Sequence, residues 1–242
     1  MTSATNRLNR LPAAERGITI GDFLVPIRVG ERISSRVRHV ALIVAGALLV
    51  AVCAQLTIIQ RGQTIPLFAD LQIRLGQSPV PITGQTFAVL LVGAALGFRR
   101  GAAALGLYLL LGLVLPVYAG GSSGLGAFVA QGSGSLVLGA TGGYLVGFVL
   151  AAAITGRLAE LGWDRRLGGA LAAMLIGNVV IYLVGIPWLA LALPAKFAGA
   201  RLETAIAFGL TPFIIIDLIK LVLAAGVFPF AWWVVGRHTD ER

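Results

Sequence analysis

Asp217 and Lys220 stand three residues apart in a stretch, 205–236, that holds no other Asp, Glu, Lys or Arg. On a helix that spacing puts a carboxylate and an ammonium on one face. Counted from Ala205 they lie 12 and 15 residues along, roughly 18–22 Å at ~1.5 Å per residue, which sinks them into a bilayer. Ionisable groups at such depth are costly and mark function by default. Three readings of the pair stay open. It is a ligand site, in which the carboxylate accepts N–H bonds and the ammonium donates to a carbonyl or meets an anion. It is a mutually neutralised pair that only fixes helix packing. Or it relays protons.

Other polar side chains could join it. Thr83, Gln85 and Thr86 fall where a Pro-rich loop leads into an apolar run, either to bond a ligand or to cap a helix start. Tyr118, Ser122 and Tyr144 flank or line a Gly-rich interval, and the Tyr144 ring either packs on a ligand or anchors at an interface. Asn178 sits inside an uncharged run, where its amide needs a partner; a bond between helices carries more weight there than a ligand. Enzymatic chemistry is poorly provided for. The two lysines, Lys196 and Lys220, lack the flanks of a phosphate-binding loop, so the chain is not its own ATPase. Gly121-Ser122-Ser123-Gly124 matches the pattern of an intramembrane serine protease, but the two histidines, His39 and His238, stand near opposite ends of the chain. Asp217 has no second intramembrane carboxylate, as a shared-proton dyad would need. With Cys53 the sole cysteine, no disulfide, metal site or cofactor is expected.

The elements that must position these groups follow from composition. Of 242 residues 57% are hydrophobic and 12% charged, with a mean hydropathy of +0.91, whereas a soluble domain is about a quarter charged. An all-α membrane protein is the reading. Uncharged stretches place spans at 39–60, 84–98, 102–118, 140–159, 167–195 and 205–236, each near the length that crosses a bilayer. That gives six transmembrane helices in a membrane domain 39–236, between a basic tail 1–38 and a short tail 237–242. With both termini cytoplasmic, 14 of the 19 Lys and Arg fall inside, as the charge bias of membrane proteins requires. The net charge of +9 is then a topology signal and an attraction to anionic lipid, not a nucleic-acid surface. Trp163, Trp188, Trp232 and Trp233 fall near span ends as interfacial anchors. The tail does not read as a signal peptide, and a short surface helix is expected near 17–30. Two long loops, 60–83 and 119–139, lie on the outer side and can cover a pocket, which puts the ligand side outside the cell membrane. In the first span Ala47 and Ala51, with Ala41, Ala45 and Gly46, have the small-residue spacing that admits a close helix, from this chain or from a partner protein.

The runs PVPITGQTFAVLL (79–91), GAALGFRRGA (93–102), LYLLLGLVLPVYAGGSSGLG (107–126), TGGYLVGF (141–148), YLVGIPWLA (182–190) and PFIIIDLIKLVLAA (212–225) together resemble the BioY family, the biotin-specific membrane components of energy-coupling-factor transporters. The likeness covers most of 41–230. Ala140, Ile215 and Ile216 depart from the family's usual residues, and 129–139 looks like an insertion, while the Asp-x-x-Lys pair stands intact. The resemblance implies a six-helix substrate-binding component that captures biotin from outside and works with a transmembrane coupling (T) component and a pair of ATPases. It implies Asp217 accepting a ureido N–H and Lys220 donating to a biotin oxygen. The alternative is a solitary secondary transporter or channel for a small vitamin-like solute, with Asp217 as a proton site.

Overall fold

The computed structural model describes residues 19–24, 35–59, 64–68, 71–74, 79–131 and 136–240. Most of the expected N-terminal tail, the end of the C-terminal tail and the centre of the 129–139 stretch lie outside the described residues. The helices among those described are α1 (Gly21–Leu24), α2 (Ser35–Gln55), α3 (Gln85–Val114), α4 (Gly142–Glu160), α5 (Leu167–Ala192), α6 (Arg201–Gly209) and α7 (Ile214–Asp240). Three antiparallel two-stranded ribbons lie between them: β1 (Thr57–Ile59) with β4 (Ile82–Thr83), β2 (Thr64–Phe68) with β3 (Leu71–Arg74), and β5 (Val129–Gln131) with β6 (Leu136–Leu138). Among the described residues five helices, α2, α3, α4, α5 and α7, are long and apolar enough to cross a membrane. The chain is a helical multi-pass membrane protein.

The sequence places two spans, 84–98 and 102–118, where the structure has the single element α3. That element is broken at Gly97, whose φ of 83° and ψ of 177° are open to glycine and strained for other residues. The chain reverses there. A Cβ on Gly101 would stand 3.1 Å from the Gly93 Cα. The Gln85 side chain bonds the Tyr108 hydroxyl, although 23 residues of straight helix would hold them roughly 35 Å apart. Both pairs are centred on Gly97, so α3 is a helical hairpin.

Small residues set how closely α4 enters this hairpin. A Cβ on Gly93 would meet the Ala152 Cα and carbonyl at 2.7 Å, and one on Gly156 would overlap the Gly97 carbonyl. On its other side α4 meets α5, where a Cβ on Gly147 would stand 3.1 Å from the Ile181 Cα. Backbone approach of this kind supplies the dispersion contact that holds helices together in lipid. Ala47 and Ala51 serve the same purpose. They are 0% and 7% exposed, within the core, and the neighbouring Gly46 fits between Val92, Leu96 and Ala104. Partner docking through these alanines is therefore corrected: their small side chains let α2 reach the hairpin, while Val40, Val44, Leu48 and Val52 face outward.

The sixth expected span is also corrected. It does not begin at Ala205: α6 ends at Gly209 and α7 starts at Ile214. Pro212 interrupts between them, because proline lacks an amide hydrogen and disfavours helix in the residue before it. Thr211 donates its hydroxyl back to the Ile206 carbonyl. Asp217 is thus in the first turn of α7, with its amide bonded to the Phe213 carbonyl at 2.8 Å. The burial of the pair comes from packing, not from helix depth counted from Ala205.

At the other end of the bundle α1 is pinned to the hairpin turn. Arg100 donates to Asp22 at 2.8 Å and to the Thr19 hydroxyl at 3.1 Å, and Phe23 meets the Trp232 ring edge-on at 5.7 Å. Burial of Asp22 opposes its ionisation, but the bonds from Arg100 and Thr19 outweigh it and hold the carboxyl below the usual carboxylate value. Trp232 is buried, not an interfacial anchor, and donates its indole N–H to Asp164 at 2.7 Å. Asp164 is 1% exposed. Its burial outweighs the Trp232 bond and the Arg165 charge, pushing it up to about 6 from 3.8.

Two expected outcomes follow from the packing. Gly156→Val puts side-chain carbons into the Gly97 backbone and lowers unfolding free energy by about 1–3 kcal/mol, read as a fall in Tm in detergent. Gly106→Ala, at a position with nothing within 4 Å, leaves Tm unchanged or raised. For Asp164 the native form holds its proton more tightly than the unfolded chain. Its contribution therefore weakens as pH rises from about 4 to 6 and is fully lost above, on the order of 3 kcal/mol at ~1.4 kcal/mol per unit. Asp164→Asn, which keeps an oxygen for Trp232, raises Tm at pH 7.5 and has little effect near pH 4; equal shifts at both would contradict the assignment.

Candidate functional site

A cavity of about 460 Å³ opens at the end of the bundle where α7 begins. Its walls are built from five places in the chain: the segment Pro79–Thr86, the loop Tyr118–Ser122, the first turns of α4, the middle of α5, and the α6–α7 turn with the start of α7. Most of the surface is apolar, supplied by Val80, Ile82, Leu145, Phe148, Ile181 and Phe213. A few fixed polar groups in an apolar cleft of this size is the usual form of a small-ligand site.

The polar centre is the pair singled out in the sequence. Asp217 and Lys220 are 2% and 7% exposed, with Lys220 Nζ 3.0 Å from Asp217 Oδ1. Lys220 also donates to the Thr83 carbonyl at 2.7 Å and the Thr86 hydroxyl at 3.2 Å, so all three of its N–H groups are engaged. Thr86 donates to Asp217 Oδ1 at 3.1 Å, and Tyr182 donates to Oδ2 at 2.5 Å. A buried charge is tolerable only when paired and bonded in this way. Asp217 gains further from its place in the first turn of α7, where the helix dipole favours negative charge. Oδ2 keeps one acceptor direction beyond the Tyr182 bond.

The structure brings Thr83, Gln85, Thr86, Tyr118, Ser122, Tyr144, Asp217 and Lys220 to this cavity. Several of them spend their polar groups on the wall itself. Thr83 donates to Gln85 Oε1 at 2.8 Å, Gln85 Nε2 donates to the Tyr108 hydroxyl at 2.8 Å, and Tyr108 donates to the Val117 carbonyl at 3.2 Å. Tyr118 donates to the Leu109 carbonyl at 2.6 Å and accepts at its own carbonyl from Gln55 at 3.1 Å. Ser122 bonds back to the Ala119 carbonyl at 2.9 Å. The Tyr144 hydroxyl is donated to the Gly209 carbonyl at 3.0 Å, leaving its ring to line the cavity.

Asn178 is not brought there. It is buried on α5, one turn before Tyr182, but is not among the lining residues, and its Oδ1 lacks a hydrogen bond among the described residues. Tyr182, which lines the cavity and donates to Asp217, is the side chain that sequence reasoning missed. The available signal was a phenol inside an uncharged run, since a buried hydroxyl needs an acceptor.

The family model described as the BioY family matches residues 62–237. The chain belongs to the BioY family. It is 39% identical over 161 residues to the biotin transporter BioY of Rhizobium etli, covering 63% of this chain and 78% of that protein. It is 41% identical over 182 residues to the biotin transporter BioY of Rhodobacter capsulatus, covering 66% and 86%. The fold resembles a crystal structure of the S-component for biotin from an ECF-type ABC transporter, with a TM-score of 0.58 and 22% identity over 87% of this chain and 95% of the other. These BioY relatives are named as transporters, in line with the sequence reading of transport and not catalysis.

The hydroxyl of Tyr108 links the start of α3 to the loop that closes the cavity. Tyr108→Phe leaves a Gln85 donor and the Val117 carbonyl unpaired, at about 1–3 kcal/mol. The expected result is a lower Tm and faster proteolysis within 115–124, while the rest of the chain keeps its resistance.

Proposed function

We propose that this BioY-family chain is the biotin-binding S-component of an ECF-type transporter in the cell membrane, capturing biotin from outside. The observation that carries the reading is the buried Asp217–Lys220 pair on the wall of an apolar cavity of about 460 Å³. Biotin's fused rings are compact and largely apolar, its ureido group offers two N–H donors and a strong acceptor, and its valerate is an anion. The open direction of Asp217 Oδ2 suits a ureido N–H. Lys220 reaches a biotin oxygen by releasing its longest bond, the one to Thr86 at 3.2 Å. Tyr144, Phe148 and Phe213 supply apolar surface for the rings, with Thr83, Gln85, Thr86, Tyr118 and Ser122 shaping the rim. The relatives' names and the fold likeness support the same ligand.

The six-span topology belongs to this proposal. The α3 hairpin counts as two spans joined at Gly97, with Arg99 and Arg100 at the turn, and the charge bias then sets both termini and this turn in the cytoplasm. The cavity, at the opposite end of the helices, faces out. With no phosphate-binding loop in its sequence, the chain draws on ATPases through a T component. A solitary transporter with Asp217 as the proton site is less well supported, because both carboxylate oxygens are already engaged, Oδ1 by Lys220 and Thr86 and Oδ2 by Tyr182.

Calorimetry of the purified chain in detergent tests the ligand: saturable binding of biotin is expected, and saturation by a different vitamin with none by biotin would refute it. Asp217→Asn and Lys220→Met each remove a bond to a charged group, worth on the order of 1.5–3 kcal/mol, and weaken binding roughly 10- to 150-fold. The double variant binds no better than the worse single one, yet recovers membrane yield, since removing both charges is cheaper than stranding one. Near wild-type affinity in the double variant would leave the pair with packing alone.

A further inference from the structure

His39 and Gln55 stand near the two ends of α2, 16 residues and roughly 24 Å apart. Gln55 bonds the loop over the cavity. His39 lines a second concavity, a groove of about 670 Å³ at the opposite end of the bundle. The groove is formed by α2, the Gly97 turn of α3 and the last turn of α4, and it carries Arg99, Arg100, Arg157 and Glu160 beside His39.

The charges do not cancel. Arg100 is committed to Asp22, Thr19 and the Leu96 carbonyl. Glu160 accepts the Phe98 amide at 2.9 Å through Oε1 and Arg157 at 3.1 Å through Oε2. Three guanidiniums therefore face two carboxylates, Asp22 and Glu160, before His39 is counted. The Arg99 side chain makes no hydrogen bond or ion pair among the described residues, and only one terminal nitrogen of Arg157 is engaged. Arg36 stands one turn before His39 on α2. Apolar surface lies beside these charges: Phe98 is exposed on the groove wall, and Val40 and Val44 are exposed on α2 next to His39 and one turn further on.

We propose that this groove holds the phosphate of an anionic phospholipid, gripped by Arg99 and Arg157, with the acyl chains lying against Phe98, Val40 and Val44. Arginine's planar fork suits a phosphate, and basic recesses between membrane helices recognise such headgroups. Exposed Phe98, Val40 and Val44 distinguish a lipid from free phosphate, which has nothing to place against them. A zwitterionic headgroup brings its own cation and gains less. Glu160 moderates the site, because its carboxylate stands against one of the two gripping guanidiniums.

Native mass spectrometry of the full chain in detergent, titrated with phosphatidylglycerol, phosphatidylcholine or inorganic phosphate, tests this. Phosphatidylglycerol binds with a preference of about tenfold over phosphatidylcholine, and inorganic phosphate at equal concentration does not displace it. Arg99→Gln or Arg157→Gln weakens phosphatidylglycerol about fivefold and the double variant about 30-fold. Glu160→Gln, which keeps an oxygen for the Phe98 amide, strengthens it. That opposite sign cannot arise from misfolding. Equal binding of the two lipids, displacement by inorganic phosphate, or a loss in Glu160→Gln like that in the arginine variants would each overturn the proposal.

Discussion

A buried carboxylate–ammonium pair makes demands on everything near it. Stripped of water, each charge costs several kcal/mol, and mutual attraction alone does not repay that unless the remaining donors and acceptors are also bonded. Asp217 and Lys220 therefore need partners from outside α7. The β4–α3 segment gives the Thr83 carbonyl and the Thr86 hydroxyl, and α5 gives the Tyr182 phenol. Three elements distant in sequence are fixed to one point, and the cavity is the space left between them.

The hairpin at Gly97 makes that convergence possible. Had α3 run straight, Val117 and Tyr118 would lie far from Gln85. The reversal returns them to the same end of the bundle, where Tyr108 and Gln55 hold the loop. The glycine contacts with α4 then decide how tightly the hairpin sits against the rest. The far end of α7 is fixed as firmly, through Trp232 with Asp164 and Phe23. A displacement of α7 as a whole would have to break contacts at both of its ends.

Much of this was legible in residue types and spacing. Charge-free runs located the apolar helices, and the three-residue offset of Asp217 and Lys220 put them on one face, as found. What the sequence concealed depends on tertiary geometry. Nothing local distinguishes Gly97 from Gly93 or Gly101 as the residue at positive φ, although the charged Arg99–Arg100 marked the neighbourhood. Pro212 was a local signal for the break before α7, but the long apolar run masked it and misplaced the depth of the pair. Ala47 and Ala51 had a spacing that admits any close helix, and only packing reveals that the helix belongs to the same chain. Asn178 and Tyr182 lie one turn apart on α5, and which of them reaches the cavity depends on the rotation of that helix, which uniform apolarity around it does not disclose.

The saturation of the pair bears on how the cavity discriminates. Lys220 already makes three bonds, and a ligand oxygen that takes one of them exchanges a bond without adding one. On the proposed reading, net affinity comes largely from apolar area against Tyr144, Phe148 and Phe213, at roughly 25 cal/mol per Å² removed from water. The polar centre contributes chiefly through refusal. A ligand of the right shape without an N–H at Asp217 Oδ2 seals the carboxylate away from water and leaves that direction unpaired. Sites built to hydrogen-bond a donor reject analogues lacking it far more strongly than apolar pockets reject a missing methylene. On the proposed reading, apolar walls and an ion pair with one open Oδ2 direction divide the work of recognition, the first giving strength and the second selectivity.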